Sequence, residues 1–161
     1  MYIDGQIVVF HIVYPPDGDL YKSVETVYLY SEVEQSLTPI IFSVPSYNHY
    51  QPQGLDRKYG RYAIIGNGDE KIAVVDLLTG TYANTEFYYD DIESIKSVSD
   101  KYFAFVYKTG EIALIDKVSG GVVKKTKYAL NFTPEHIRYQ DDMLYISSDY
   151  NNTVLVIKEF E

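Results

Sequence analysis

The chain of 161 residues is long enough for one folded domain and carries 23 acidic against 14 basic side chains, a formal net charge of −9. Because nucleic-acid-binding proteins present a basic surface to the phosphates, this charge argues against that class of partner. Cysteine is absent, which excludes disulfides and thiolate metal sites. The 18 tyrosines and 7 phenylalanines favour strands, because aromatic rings suit a pleated, half-buried surface.

The beginning of the sequence gives no sign of a targeting segment. Met1 is followed by Tyr-Ile-Asp-Gly rather than by a basic stretch and an apolar run. No stretch approaches the roughly 18 uninterrupted apolar residues of a membrane-spanning helix. We therefore expect no leader, no contact with a membrane and a cytoplasmic location.

Pairs of apolar runs separated by polar turns recur along the chain, and no segment has a sustained helical period. Each pair predicts two strands of a hairpin, followed by a loop and a further strand. The turns contain residues that tolerate positive φ, with Gly68 and Asp69 in the second repeat unit and Gly110 in the third repeat unit. The predicted repeat units cover residues 6–44, 53–87, 92–127 and 135–160.

The strongest internal signal is a nine-residue segment that recurs 40 residues later. IAVVDLLTG at 72–80 returns as IALIDKVSG at 112–120, with four identities and four conservative changes. Only Leu77 against Lys117 departs sharply. A period of about forty residues is typical of repeat architectures such as β-propellers.

The stretch GRYAIIGNGDEKIAVVDLLTG at 60–80 resembles a WD-repeat unit, with Val75-Asp76 in the place of the Trp-Asp pair. Ile115-Asp116 and Ile157-Lys158 stand at the same place in the later units. Because Trp is absent, the likeness extends to WD-like and quinoprotein-like propellers, and it covers residues 60–161. The resemblance implies that Asp69 matches the acidic turn residue of a buried hydrogen-bond network, for which His49 is the candidate histidine partner. Asp69, Gly68 and Gly110 are otherwise expected to be structural turn residues.

These patterns predict an all-β fold, a single propeller-like domain over residues 1–161 with about four blades of about forty residues. The first and last blades are expected to be incomplete. Two arrangements remain open, a four-bladed ring with an imperfect seam and a half-propeller completed by a second copy or another subunit. A β-sandwich or meander is the alternative fold, but it gives no reason for the 40-residue register.

The loops that join one unit to the next combine aromatic and polar side chains, as protein-recognition surfaces do. The alternative is that these rings pack between blades. The basic cluster Lys124, Lys125 and Lys127 is interpreted as a charged strand edge that opposes aggregation. The candidate partner-binding residues are Tyr47, His49, Tyr50, Tyr88, Tyr89, Asp90, Asp91 and Phe132.

The leading interpretation is a non-catalytic interaction or scaffold module within a larger assembly, without cofactor or bound metal, that takes a protein partner or a second copy. One alternative is a metal-dependent hydrolase of the propeller kind, with His49, His136 and Asp90 or Asp91 around a central channel. Another is a structural subunit of a virion or filament that assembles by edge pairing.

Overall fold

The computed structural model describes residues 1–13, 16, 24–40, 60–66, 71–128, 132–148, 150 and 152–158. About 66% of the residues lie in strands, which form four antiparallel sheets, and only 3% are helical, which confirms the predicted all-β class. In each sheet the strands pair in the order in which they follow along the chain. Within the described residues, no helix is long and apolar enough to cross a membrane.

The first sheet contains four strands and the second contains three, in the orders β1-β2-β3-β4 and β5-β6-β7. Strand β1 is only two residues long, whereas β2 and β3 pair over their full lengths. The strands are β1 (Tyr2–Ile3), β2 (Gln6–Val13), β3 (Val24–Ser31), β4 (Ser36–Ile40), β5 (Tyr62–Ile65), β6 (Lys71–Asp76) and β7 (Tyr82–Tyr88).

The third sheet contains four strands in the order β8-β9-β10-β11, and the fourth contains three in the order β12-β13-β14. A turn of 3-10 helix, Tyr89–Asp91, joins β7 to β8. The strands are β8 (Ile92–Ser97), β9 (Tyr102–Tyr107), β10 (Glu111–Asp116), β11 (Val122–Lys127), β12 (His136–Gln140), β13 (Met143–Ser148) and β14 (Thr153–Lys158).

The chain divides into two compact units, each with its own apolar core. The first unit, Met1–Asn67 with Ile72–Asn84, packs one face of the first sheet against Ala63 and Leu77. The second unit, Gly68–Lys71 with Thr85–Glu161, packs the third sheet against the fourth. The buried side chains of this second core are Val98, Ala104, Val106, Ile112, Leu114, Leu144, Ile146 and Ile157.

The two central strands of the third sheet are covered on both faces. In β9 the four residues from Phe103 to Val106 are fully buried although successive side chains point to opposite faces. Ala104 and Val106 contact the fourth sheet, and Phe105 contacts the ring of Phe87 at 5.7 Å between centroids. Continuous burial explains why these strands read as uninterrupted apolar runs rather than as alternating ones.

The 40-residue sequence repeat is also a repeat of hydrogen bonds. At the end of β6, the Asp76 N–H donates to the Thr81 carbonyl, and the Gly80 N–H donates to the Asp76 carbonyl. At the end of β10, Asp116 makes the same two bonds with Gly121 and Gly120. Both closing glycines have positive φ, 72° for Gly80 and 68° for Gly120, a conformation that side chains with a Cβ disfavour.

The carboxylate of each repeated aspartate also holds its turn. Asp76 Oδ1 accepts from the Leu78 N–H at 2.9 Å, and Asp116 Oδ1 accepts from the Ser119 N–H at 2.7 Å. Arg61 adds a bidentate pair to Asp76, with Nη2 at 2.7 Å from Oδ2 and Nε at 3.1 Å from Oδ1. Burial acts to raise the pKa of Asp76, but these hydrogen bonds outweigh it and hold the pKa below its usual value.

Lys117 stands where the earlier copy of the repeat has the core residue Leu77. Leu77 is fully buried in the first core, and Lys117 is 4% exposed. The Lys117 ammonium donates to Ser97 Oγ and to the Ser99 carbonyl, each at 2.6 Å, and lies 4.7 Å from the centre of the Phe103 ring. Burial lowers the pKa of Lys117, because it penalises the charged form.

We predict that Lys117→Met stabilises the protein by about 1–2 kcal/mol at pH 7, because a buried charge is replaced by an apolar side chain of similar length. The Ser99 carbonyl loses its lysine partner in the variant but keeps a donor, because Ser97 Oγ lies 3.4 Å from it. The lowered pKa means that the unfolded chain binds more protons, so the wild type gains stability as pH rises toward 10.5. The advantage of the variant should therefore be larger at pH 7 than at pH 10.

Urea unfolding at the two pH values measures this difference, and Lys127→Met on the exposed edge of β11 serves as the matched control. The control should change stability little and equally at both pH values. A Lys117→Met protein that is less stable than the wild type at both pH values would mean that the ammonium hydrogen bonds outweigh its desolvation.

Candidate interaction surface

The turn Tyr88–Asp91 joins the last strand of the second sheet to the first strand of the third. Tyr88 ends β7 in an extended conformation, and Tyr89–Asp91 form a single 3-10 turn. The Ile92 N–H then donates to the Tyr89 carbonyl and returns the chain to an extended conformation in β8. Four consecutive aromatic and acidic side chains are therefore displayed on a short and hydrogen-bonded connection.

All four side chains of this turn are exposed. Tyr88 is 45% exposed and Tyr89 is 40% exposed, and both aspartates are exposed as well. The carbonyl of Asp91 accepts a hydrogen bond at 3.3 Å from the backbone N–H of Lys108, in the turn after β9. This bond ties the turn to the neighbouring hairpin within the second unit.

The residue before the turn anchors it. Phe87 is 2% exposed, and its ring lies 5.7 Å from that of Phe105 and 5.2 Å from that of Tyr107, the second in an edge-on arrangement. Such tilted and edge-on geometries suit the quadrupoles of aromatic rings. Alternation along β7 places Phe87 inward and Tyr88 outward, so the buried ring fixes where the exposed ring points.

Lys125 places a positive charge beside the aromatic rings that anchor the turn. Its ammonium lies 2.6 Å from Glu111 and 3.7 Å from Glu86, and it sits 5.5 Å from the Phe87 ring and 5.8 Å from the Tyr107 ring. The cluster Lys124, Lys125 and Lys127 does lie on β11, the outer strand of the third sheet. Lys125 has an additional role there, because its charge offsets two carboxylates beside the aromatic anchor.

The electrostatic potential at the turn is negative. Burial raises the pKa of Tyr107 well above its usual value, and the negative charges of Glu86 and Asp91 raise it further. The phenol therefore stays protonated throughout the neutral range. The turn can offer aromatic contact area, phenolic hydrogen bonds and two carboxylate acceptors, a set suited to binding.

The other predicted contact residues fall in different places. Phe132 is half-buried and packs against the core of the second unit, as the alternative of ring packing anticipated. Gly110 lies in the turn between β9 and β10 with φ 81° and donates to the Tyr107 carbonyl. The remaining predicted residues lie outside the described residues: Tyr47, His49, Tyr50, Gly68 and Asp69.

The residues of the metal-site alternative are also only partly described. His136 is exposed at the start of β12, Asp90 and Asp91 lie in the exposed turn, and His49 lies outside the described residues. Among the described residues, no three His, Asp or Glu side chains are grouped so as to hold a metal ion.

Sequence reasoning missed the residues that support the turn. Phe87 is not among the predicted contact residues, and the alternating burial of β7 turns it inward. Lys125 and Glu111 come together only because β10 and β11 are paired, with Glu111 opposite Lys127 and Ala113 opposite Lys125.

No family model matches the chain, and no curated protein matches it. Solved structures do match its fold. The computationally designed protein Ika4 is 13% identical with a TM-score of 0.55, and the match covers 97% of this chain and 94% of Ika4. AztD from Citrobacter koseri is 15% identical with a TM-score of 0.55, covering 86% of this chain and 40% of AztD.

BamB from Moraxella catarrhalis is 12% identical with a TM-score of 0.50, covering 94% of this chain and 41% of BamB. AztD and BamB are propeller-like β-repeat proteins. The chain thus has a propeller-like β-repeat fold, and it spans about two fifths of the length of these two natural neighbours. At this level of identity the likeness concerns the fold alone.

We predict that Phe87→Ala destabilises the protein by about 3–4 kcal/mol, because it leaves a cavity against Phe105 and Tyr107. Phe87→Leu should cost less, since it keeps most of the apolar volume. Urea unfolding gives the free energies, and proteolysis at the Tyr88 and Tyr89 bonds reports on the turn itself. A Phe87→Ala protein of wild-type stability would contradict the anchoring role.

Proposed function

We propose that this protein is a non-catalytic β-propeller interaction module, with repeats of the WD-like or quinoprotein-like kind, that works as a scaffold within a larger assembly. The observation that carries the proposal is the turn Tyr88–Asp91, with two exposed tyrosines and two exposed aspartates beside a buried anchor. The aspartate turns at Asp76 and Asp116, at the place of the Trp-Asp pair, support the WD-like kind of repeat. A cytoplasmic location stays a prediction.

Tyrosine suits this role because its ring gives a large contact area while only two side-chain torsions become fixed on binding. Phe87 and the Lys108–Asp91 backbone bond limit the motion of the turn, which lowers the entropy lost when a partner binds. The two aspartates, with Glu86 nearby and a chain charge of −9, favour a partner with a basic surface. The proposed ligand is therefore a protein that presents Arg or Lys beside an apolar pocket.

We predict that Tyr88→Ala with Tyr89→Ala weakens partner capture by about 10- to 100-fold, the range expected for loss of aromatic hot spots. The tagged chain is used to capture proteins from an extract of its source cells, with quantification by mass spectrometry. Tyr150→Ala is the matched control, because Tyr150 is 89% exposed in a different turn. Unchanged thermal midpoints establish that both variants are folded. Capture that is equal for the double variant and the wild type would contradict the proposal.

We further predict that Asp90→Asn with Asp91→Asn slows association with the captured partner and leaves dissociation nearly unchanged, since peripheral charges act mainly on encounter. Raising the salt concentration should slow the wild type more than this variant, because screening removes an attraction that the variant already lacks. Surface-based binding kinetics at low and high salt provide the measurement. Equal salt dependence of the two proteins would show that the aspartates do not steer the partner.

A further inference from the structure

The fourth sheet has one covered face and one exposed face. Burial alternates along all three of its strands, and the covered side chains are those that pack against the third sheet. The paired registers place the other set together on the opposite side. We call this set the fourth-sheet face: His136, Arg138, Gln140, Met143, Tyr145, Ser147, Val154, Val156 and Lys158.

The first sheet repeats this asymmetry. Val8, Val27 and Ile40 are buried against the second sheet, whereas the side chains on the opposite face of the first sheet are half-buried or exposed. The registers form two cross-strand rows, Tyr2–Ile7–Tyr30–Leu37 and Val9–Tyr28–Pro39. We call this set the first-sheet face: Tyr2, Ile7, Val9, His11, Tyr28, Tyr30, Leu37 and Pro39.

Strand β14 of the fourth sheet and strand β2 of the first sheet have apolar residues on both sides, as covered strands do. The run Val-Leu-Val-Ile of β14 is as continuously apolar as Ile-Ala-Leu-Ile of β10, which is buried on both sides. Yet Val154 is 56% exposed and Val156 is 43% exposed. On the first sheet, Leu37 is 51% exposed and Tyr2 is 73% exposed. Apolar residues on both faces of a strand are typical of a sheet packed on both sides.

We propose that a second copy of this chain covers both faces, with the first-sheet face of each copy packed on the fourth-sheet face of the other. The two contacts are related by a two-fold axis and close the assembly as a dimer of eight sheets. This inference rests on the proposed propeller organisation, and it concerns surfaces other than the turn Tyr88–Asp91.

Charge favours the pairing of unlike faces. The fourth-sheet face contains Arg138 and Lys158 and no carboxylate, although the whole chain is strongly acidic. The first-sheet face offers the rings of Tyr28 and Tyr30, and the exposed turn at its rim contains Glu32 and Glu34. Cations over aromatic faces and opposite charges at the rim both attract. Pairing two fourth-sheet faces would instead bring Arg138 and Lys158 close to their own copies.

Area favours a closed dimer over an open chain of copies. Three strands about 4.8 Å apart, each with six residues rising about 3.3 Å, give a face of roughly 280 Å². One contact between two such faces covers roughly 560 Å², which is below the size of specific interfaces. A closed dimer makes the contact twice and reaches roughly 1,100 Å², close to the lower end of the specific range.

Sedimentation equilibrium of the full chain at micromolar concentration tests the proposal, and the expected mass is twice the 18.5 kDa of one chain. Val156→Lys and Leu37→Lys each place a charge on one of the two faces, at positions exposed in a single copy, so folding is preserved. Each substitution alone should weaken the dimer by at least about 100-fold, because each removes both symmetry-related contacts. Circular dichroism melting establishes that both variants are folded.

Val123→Lys is the matched control, since Val123 is 53% exposed on β11, outside both faces, and the control should remain dimeric. A wild-type monomer would overturn the proposal, as would longer polymers. Loss of the dimer in only one of the two face variants would show self-pairing of that face and would also overturn it. The Tyr88→Ala, Tyr89→Ala protein should stay dimeric, so the failure of one proposal is distinguishable from the failure of the other.

Discussion

The constraint on which the structure depends is that a strand with apolar side chains on both faces must be covered on both faces. Strands β9 and β10 satisfy it fully, because each has four consecutive buried residues. The burial of these apolar faces is the main favourable term in folding, and it forces the sheets to pack against one another. The positions of the turns, of the aromatic anchor and of the open faces all follow from which sheet faces are covered.

Packing by stacked sheets requires each strand to end at a defined residue, and the repeated aspartates provide this. The carboxylates of Asp76 and Asp116 accept hydrogen bonds from backbone N–H groups two or three residues later in the chain. Those N–H groups would otherwise lack partners at the end of a strand. A glycine with positive φ then reverses the chain. Because the bonds that the two turns share are all local, the turn tolerates a change as large as Leu77 to Lys117 in its interior.

The same locality explains how much of the fold could be predicted from the sequence. The turns at Asp76 and Asp116 depend on residues within five positions of each other, so the 40-residue repeat predicted the strands that they end. The support of the candidate surface depends on tertiary contacts instead. The Phe87–Tyr107 ring contact and the Lys125–Glu86 ion pair join separate strands, and no spacing along the chain encodes them. The sequence left open whether the loop rings are exposed or packed, and packing decides this differently for Tyr88 and Tyr89, which are exposed, and for Phe132, which is half-buried.

The two kinds of surface proposed for this chain, the sheet faces and the turn Tyr88–Asp91, differ in size and in the interactions they offer. The sheet faces serve assembly, and the turn serves recognition of a partner. The open sheet faces combine aliphatic and tyrosine side chains with the cations Arg138 and Lys158, so their association joins burial of apolar area to attraction between charges. The turn Tyr88–Asp91 is small, acidic and held by an anchor, so its association depends on charge and on a few aromatic contacts. Covering the sheet faces in a dimer leaves the turn outside both of them and presents it twice. Two copies of a weak site on one particle bind a repetitive or oligomeric partner far more tightly than one copy does, without any new contact. Assembly through the sheet faces would therefore set the avidity of recognition at the acidic turn.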